Sequence, residues 1–372
     1  MSTFSRYLEK QTLEDLDRKM VFLGGPRQVG KTTMAKSLLS GKSGYLNWDQ
    51  PGHREQMLKG ELPISNLLVF DELHKYRKWR GWIKGLFDTR SEGQRILVTG
   101  SARLDLYRYG GESLQGRYHF LRLHPLSVAE LKIKTFKEFS DLLKLGGFPE
   151  PYFSGSEQES KRWTREYRTR LLQEDILSVE QVKDIGTMEM LVMRLPELVG
   201  SPLSINGLRE DLQLNHKTAD RWISILERMY AIFRIAPFGP ARIRAVKKEQ
   251  KHYQFDWTLV KTEGERFENL VACHLLKWVH FVQDTEGRDV ELRFYRDAFK
   301  REVDFVLLED GKPFQCIECK TSDRKPAEGL SYFKKNFPAC DAVQLVAADF
   351  KPFVTPAGLK IMPTVPFLQG LI

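Results

Sequence analysis

Short apolar runs alternate with mixed polar segments over the first third of the chain. Continuous apolar residues occupy 20–23, 67–70 and 96–98, and the runs are followed by Gly, Asp and Thr, respectively. Runs of this length without polar alternation are typical of strands that are buried on both faces by helices. The pattern therefore predicts an α/β fold with a parallel sheet between about residue 20 and residue 130.

The pattern changes after this region. Residues 132–182 have helical periodicity, interrupted by glycines at 146–147 and 155, and two short helices are expected within 204–228. A long amphipathic helix over 266–279 precedes strands that are joined by a turn at 309–313. These changes predict four domains, with boundaries at 1–131, 132–185, 186–260 and 261–372.

A phosphate-binding loop follows the first apolar run. Its sequence, GPRQVGKT, matches G-x-x-x-x-G-K-[ST] in full, after a strand and before a helix. The glycines let backbone N–H groups surround phosphates, Lys31 reaches the β- and γ-phosphates, and the Thr32 hydroxyl binds Mg²⁺. The residues expected to bind the nucleotide here are Gly25, Pro26, Arg27, Gln28, Val29, Gly30, Lys31, Thr32 and Thr33.

Polar residues end the next two apolar runs. Asp71 and Glu72 follow the run 67–70, and a carboxylate at the C-terminal end of such a strand lies beside the phosphate loop. We expect Asp71 to hold Mg²⁺ through water and Glu72 to polarise the attacking water. Thr99 or Ser101 would contact the γ-phosphate or position that water, with Ser101 as a simple helix N-cap as the alternative.

These motifs, together with LQGRYHFLRLHPLSVAEL and GGFPEP, resemble bacterial and archaeal AAA+-type ATPases that carry a C-terminal domain of formerly unknown function (AAA_14/DUF4143-like). The resemblance implies a P-loop ASCE/AAA+-like sheet with a helical lid, ATP as the nucleotide, and a homo-oligomer such as a hexameric ring. It also suggests that Arg117 completes the nucleotide site of a neighbouring subunit. An ordinary ion pair of Arg117, or its packing on Tyr118, is the alternative, and Arg170 is a further candidate for the same role.

The middle of the chain has the pattern of a winged helix. Apolar residues recur at helix-face spacing in the two short helices, which are joined by residues 213–215, and this spacing is typical of a helix-turn-helix core. A basic segment follows and would form a wing that grips DNA phosphates. The residues expected to contact DNA are Lys217, Arg221, Arg242, Arg244, Lys247 and Lys248, with Lys251 at the end of the wing. A solvated basic hairpin, or a winged helix that contacts only protein, is the alternative.

The strands around the turn at 309–313 carry two acids and a lysine. Side chains alternate along a strand, so Glu318 and Lys320 share a face, and a hairpin centred on Gly311 places Asp304 opposite Glu318. Burying these groups together is unfavourable unless a metal or mutual pairing offsets the cost.

This arrangement resembles the PD-(D/E)xK nucleases, although Val303 stands where the name of that superfamily has proline. The resemblance implies a small α/β nuclease-like domain in which Glu268, Asp304 and Glu318 hold Mg²⁺, with Mn²⁺ as the other ion considered. Lys320 would orient or activate the attacking water. A domain that keeps this fold but does not cut is the alternative.

Composition limits the compartments and partners. Hydrophobic residues make up 41% and charged residues 29% of 372 residues, as expected of a folded multidomain chain. No apolar stretch approaches 18 residues, so we expect no membrane span, and four cysteines fit a reducing cytoplasm. The net charge of +9 permits a polyanionic partner.

The sequence thus predicts an ATP-hydrolysing AAA+-type enzyme of DNA recombination or processing, coupled to a metal-dependent endonuclease. By analogy with archaeal resolvases, the preferred substrate is branched DNA such as Holliday junctions, and duplex DNA is the other form considered. The first alternative is a regulatory or defence ATPase whose C-terminal domain binds DNA or protein without cutting. The second is an ATP-dependent protein-remodelling factor without DNA contact.

Overall fold

The computed structural model describes residues 4–41, 43–100, 114–176, 184–239 and 250–372. The chain divides into two compact units, Met1–Pro125 and Leu126–Ile372, each with its own β-sheet. Within these described ranges, no helix has the length and apolar character needed to span a membrane.

The first unit is a parallel α/β sheet. Its strands are β1 Met20–Gly24, β2 Tyr45–Asn47, β3 Leu67–Asp71, β4 Arg95–Thr99 and β5 Tyr118–Arg122. Its helices are α1 Glu9–Leu16, α2 Lys31–Ser37, α3 Pro51–Lys59 and α4 Trp79–Asp88, with a 3₁₀ turn at Leu73–Lys75. The strand order is β2-β3-β4-β1-β5, and all neighbours run parallel.

The three apolar runs that predict strands all lie in the centre of this sheet. Every residue of β1 and β3 is buried, which follows from helix layers on both faces. Because the strands are parallel, the residues that follow β1, β3 and β4 meet at one edge of the sheet. The pairs Asp71↔Thr99 and Leu23↔Thr99 fix that edge, and the phosphate loop begins there.

The second unit combines helices with a mixed sheet. Its helices are α5 Phe136–Leu145, α6 Pro149–Ser154, α7 Glu157–Arg170, α8 Ile185–Arg194, α9 Ile205–Asp211, α10 His216–Arg228, α11 Glu263–Glu286, α12 Glu328–Asn336 and α13 Thr364–Gln369. Shorter helical turns lie at Leu171–Ile176, Leu195–Leu198 and Trp257–Leu259. Its strands are β6 Ile232–Phe238, β7 Lys251–Gln254, β8 Val290–Arg296, β9 Glu302–Glu309, β10 Lys312–Lys320, β11 Asp341–Val346, β12 Phe353–Val354 and β13 Lys360–Pro363.

The eight strands are ordered β12-β13-β11-β10-β9-β8-β6-β7. Strand β6 pairs with β8, so this sheet continues across the predicted boundary at residue 260. No local pattern indicates this pairing, because the two strands are far apart in the chain. The predicted boundaries within residues 126–372 stay predictions.

The hairpin of β9 and β10 is held by a two-residue turn. Asp310 and Gly311 both have positive φ, 49° and 73°, as a type I′ turn requires. The strands pair Lys312 with Glu309 and, beyond a bulge near Pro313, Ile317 with Phe305. This second register brings the side chains of Asp304, Glu318 and Lys320 close together, as described below.

Candidate functional site

The backbone of the phosphate loop in the first unit has positive φ at three positions. Gly25 and Gly30 have φ of 129° and 97°, and Gln28 also lies in the left-handed region at 56°. A Cβ atom at Gly25 would stand 2.2 Å from the carbonyl oxygen of Leu123, which follows β5. Glycine is therefore required where the loop leaves β1.

Lys31 lies over this loop. Its buried ammonium donates hydrogen bonds to the carbonyl oxygens of Gly25, at 3.0 Å, and of Pro26, at 2.5 Å. These bonds keep the charge inside the curve of the loop. A bound phosphate would offer the ammonium a stronger, charge-assisted acceptor in the same place.

Asp71 is the centre of a hydroxyl network beside the loop. One carboxylate oxygen accepts hydrogen bonds from the hydroxyls of Thr32, at 2.8 Å, and Tyr45, at 2.7 Å. The other oxygen accepts from Thr99 at 2.6 Å. Thr32 and Asp71 thus present hard oxygen atoms side by side, and this donor set fits Mg²⁺.

Tyr45 was not anticipated from the sequence. It reaches Asp71 because β2 pairs with β3, and nothing near residue 45 indicates that pairing. Burial, together with the neighbouring carboxylate of Asp71, raises the pKa of Tyr45, so this phenol stays protonated and donates to Asp71.

Glu72 follows Asp71 in a left-handed backbone conformation, with φ of 58°. Its N–H donates to the carbonyl of Thr99 at 3.0 Å, and its carboxylate lies 3.2 Å from the ammonium of Lys75. Burial raises the pKa of Glu72, and the charge of Lys75 opposes that rise. A carboxylate whose pKa is raised in this way is a better proton acceptor than an ordinary glutamate.

Arg117 lies at the other edge of the same sheet. It precedes β5, and its carbonyl accepts from the N–H of Met20 at the start of β1, whereas the phosphate loop follows the end of β1. Its guanidinium makes two hydrogen bonds to Asp88, at 2.8 and 3.2 Å. Arg117 therefore does not reach the nucleotide site of its own chain, and its role toward a neighbour stays a prediction.

Arg170 and Ser101 are the two remaining candidates for the nucleotide site. Arg170 pairs with Glu166, one helical turn away, at 3.3 Å. Ser101 lies outside the described residues.

In the second unit, the hairpin brings two acids and a lysine together, as strand alternation predicts. Asp304 accepts a hydrogen bond from the N–H of Cys319 at 2.9 Å, and its own N–H lies 3.4 Å from a carboxylate oxygen of Glu318. The other oxygen of Glu318 accepts from the ammonium of Lys320 at 2.7 Å. Both carboxylates are largely buried.

Lys251 joins this cluster, which corrects its predicted place in a DNA-gripping wing. It is the first residue of β7 and is fully buried. Its ammonium lies 2.6 Å from Glu302, 3.2 Å from Glu268 and 3.6 Å from Asp304. Pairing of β7 with β6 directs the side chain of Lys251 into the protein. The basic residues that precede Lys251 in the sequence indicate an exposed segment and give no sign of this burial.

The three-carboxylate metal centre predicted for Glu268, Asp304 and Glu318 does not form. In the described part of the chain, no group of three or more His, Cys, Asp or Glu side chains could hold a metal ion. Lys251 instead lies among Glu268, Glu302 and Asp304. Burial, with the charge of Asp304, raises the pKa of Glu268 to about 7 and that of Glu318 to about 8. Asp304 and Glu318 still offer hard oxygen donors on adjacent strands.

The two short helices expected within 204–228 are present as α9 and α10. The side chains of Ser204 and Asn215 cap them by accepting the N–H groups of Gly207 and Thr218. Lys217 and Arg221 are exposed one turn apart on α10, so they share a face. The candidates Arg242, Arg244, Lys247 and Lys248 lie outside the described residues.

Residues 17–132 match the family described as an AAA domain. The chain carries an AAA-type ATPase domain. Residues 136–263 match a domain of unknown function, DUF8612, and residues 263–360 match a second one, DUF4143. The P-loop sheet described above lies within the AAA match, and the acidic hairpin lies within the DUF4143 match.

Two mycobacterial proteins are similar in sequence. The uncharacterized proteins Rv2008c of Mycobacterium tuberculosis and Mb2031c of Mycobacterium bovis are each 27% identical over 313 residues, which cover 79% of this chain and 69% of theirs. Because both are uncharacterized, the similarity indicates no activity for this chain.

Solved structures show only a distant likeness. A RuvB variant of Thermotoga maritima is 18% identical, covers 61% of this chain and 88% of its own, and has a TM-score of 0.28. A STAND protein with a tetratricopeptide repeat sensor from Pyrococcus horikoshii is 13% identical over 77% and 48%, with a TM-score of 0.25. Because the TM-scores are this low, we infer nothing about this chain from either structure.

Proposed function

We propose that this chain is an ATP-hydrolysing, DNA-processing enzyme whose second unit is a metal-dependent endonuclease, acting on branched DNA such as Holliday junctions. The ATPase part rests on the contact of Thr32 with Asp71 beside a complete phosphate loop. The nuclease part rests on the hairpin that sets Asp304 against Glu318, with Lys320 next to them.

Each residue of the nucleotide site has a distinct task. Lys31 and the loop N–H groups bind the phosphates of ATP, and Thr32 and Asp71 would hold Mg²⁺, with Asp71 acting through water. The ion, when bound, neutralises charge on the β- and γ-phosphates. Glu72 accepts the proton of the attacking water, and Thr99 fixes the orientation of Asp71 through its 2.6 Å hydrogen bond.

The nuclease site would use fewer groups. Asp304 and Glu318 would hold Mg²⁺ or Mn²⁺, which supplies Lewis acidity at the scissile phosphate, and Lys320 orients the water. Lys217 and Arg221, with the basic segment 242–248, would contact the DNA backbone. In an oligomer such as a hexameric ring, Arg117 would leave Asp88 and serve the ATP of a neighbour.

One observation favours a second function, a regulatory or defence ATPase whose C-terminal domain binds without cutting. Lys251 already places a positive charge among Glu268, Glu302 and Asp304. A lysine so placed can balance the carboxylates permanently, in which case no ion is needed.

A crossed experiment on the full chain separates these functions. ATP hydrolysis, and cleavage of a four-way DNA junction with Mg²⁺ or Mn²⁺, are measured for wild type, Lys31→Ala and Asp304→Ala. We expect Lys31→Ala to lose about 100-fold in ATPase rate because it removes phosphate stabilisation, and to keep cleavage without ATP. Asp304→Ala should lose cleavage and keep ATPase activity. The matched control is Asp310→Asn, at the exposed turn of the same hairpin.

The possible results are distinct. A wild type that hydrolyses ATP but cuts no DNA refutes the nuclease part and leaves the second function. A wild type without ATPase activity, or one matched by Lys31→Ala, refutes the ATPase part, which both functions share.

A further inference from the structure

A residue outside the matched AAA domain reaches the phosphate loop. Arg6 precedes α1 and is 6% exposed. Its guanidinium donates to the carbonyl oxygen of Val29, at 2.6 Å, and to that of His124, at 2.5 Å. Val29 lies within the phosphate loop, and His124 follows β5. Arg6 therefore ties the loop to the end of a neighbouring strand.

The bond to Val29 fixes more than one carbonyl. The Val29–Gly30 peptide is trans, so the C=O of Val29 and the N–H of Gly30 point in opposite directions. Holding the carbonyl toward Arg6 consequently turns the Gly30 N–H away from Arg6. Gly30, at φ of 97°, has no Cβ to restrict rotation, so the contact with Arg6 helps to set this direction.

The other anchor is itself rigid. The N–H of Leu123 donates to the carbonyl of Gly24 at 3.0 Å, which continues the pairing of β1 and β5. Tyr7 donates its hydroxyl proton to the carbonyl of Arg122 at 2.5 Å and accepts from the N–H of His124 at 3.2 Å. Arg6 thus connects the loop to a segment that is held from two sides.

We propose that Arg6 is a positioning residue of the ATPase site, one that orients the Gly30 N–H toward the nucleotide phosphates. The inference rests on the proposed ATP hydrolysis. The loop binds phosphates alike in the substrate complex and in the transition state. Loss of its orientation therefore weakens both states equally, which raises KM and leaves kcat nearly unchanged.

The test compares ATPase kinetics of wild type, Arg6→Ala, Arg6→Lys and Tyr7→Phe. We expect Arg6→Ala to raise KM for ATP about tenfold, with kcat within about threefold of wild type. Arg6→Lys should recover part of the loss, because one ammonium can reach one carbonyl but does not reproduce the planar fork. Tyr7→Phe is the matched control: it loses the bond to Arg122 and the bond from the N–H of His124, but it leaves Arg6 and its bond to Val29 in place, so KM should stay within about twofold.

Binding of a fluorescent ADP and thermal unfolding are measured on the same variants. A purely structural role predicts a lower Tm with wild-type KM and Kd, and that result overturns the proposal. A fall in kcat at wild-type KM also overturns it, since it would place Arg6 at the reacting phosphate. Should Arg6→Ala fail to fold, Arg6→Lys decides, and a wild-type KM there refutes the role. Failure of ATP hydrolysis itself would appear instead in wild type and Lys31→Ala.

Discussion

Lys251 shows how one residue sets the charge of a buried site. Burial lowers the pKa of Lys251, but the carboxylates of Glu268, Asp304 and Glu302 outweigh it and raise the pKa overall, so the ammonium stays charged. The face of Phe294 lies 5.7 Å away and adds a weaker attraction. Removing this charge would leave several buried carboxylates without their nearest cation.

We therefore expect Lys251→Met to lower the free energy of unfolding by about 3 kcal/mol or more, as breaking a buried ion pair does. The matched control is Lys261→Met. Its ammonium pairs with Glu197 at 3.1 Å while 82% exposed, so its loss should cost less than about 1 kcal/mol. Urea unfolding at pH 7 measures both. Equal effects of the two substitutions would contradict the structural role of Lys251.

The residues that could be predicted share one property: a local sequence motif marks each of them. Gly25, Lys31 and Thr32 belong to the phosphate-loop motif, and Asp71 ends an apolar strand. Arg6 and Tyr45 belong to no such motif and reach the same site through contacts across 23 and 26 positions in the chain. Motif spacing has no access to such contacts.

Among the elements, helix α11 organises much of the second unit. It runs for 24 residues, longer than the amphipathic pattern over 266–279 predicts. Its His274 is buried: the Nε2 atom accepts from the N–H of Val128 at 3.0 Å, and Nδ1 donates to the carbonyl of Leu270 at 2.8 Å. These two bonds require the neutral imidazole with its proton on Nδ1.

This arrangement makes the unit sensitive to acid. Burial lowers the pKa of His274 from 6.5 to about 4. At pH values between these two pKa values, His274 is protonated in the unfolded chain but neutral in the folded chain. The stabilisation is therefore complete above about pH 6.5 and is lost as the pH falls toward 4, by about 2 kcal/mol between pH 7 and pH 5.

His274→Gln should abolish this part of the pH dependence, because the amide oxygen can accept from Val128 and does not titrate. Urea unfolding at pH 7 and pH 5 gives the difference for wild type and variant, which should differ by about 2 kcal/mol. His216→Gln, at an exposed position of α10, is the matched control and should follow wild type. An unchanged difference in His274→Gln would show that other groups cause the acid sensitivity.

Elements were predictable to different degrees for physical reasons. The hairpin of β9 and β10 follows from turn residues adjacent in sequence, whereas the bulge near Pro313 sets the register that brings Asp304 beside Glu318. The pairing of β6 with β8, 50 or more positions away, depends on tertiary packing. The sequence pattern therefore predicts a wing around Lys251, whereas tertiary packing places this residue in the sheet that buries it.

On the scale of the whole molecule, the net charge of +9 is compatible with binding to a polyanion. Net charge does not locate the contact. The exposed face of helix α10 supplies the described candidates, Lys217 and Arg221. If they neutralise phosphates, they release counterions on binding. The dependence of affinity on salt concentration counts such contacts, whereas a single dissociation constant does not.

The slope of affinity against salt concentration therefore tests the contact. A plot of log K against log salt for duplex DNA should lose about 0.9 per removed phosphate contact, so Lys217→Gln with Arg221→Gln should reduce the slope by about 1.8. The matched control removes the same charge elsewhere, by Lys10→Gln with Lys59→Gln, whose ammonium groups pair with Glu14 and Glu55 on the surface of the first unit. Equal slopes for wild type and the Lys217/Arg221 variant would exclude this face of α10 from the DNA contact. A wild type without salt-dependent affinity would favour the protein-remodelling alternative.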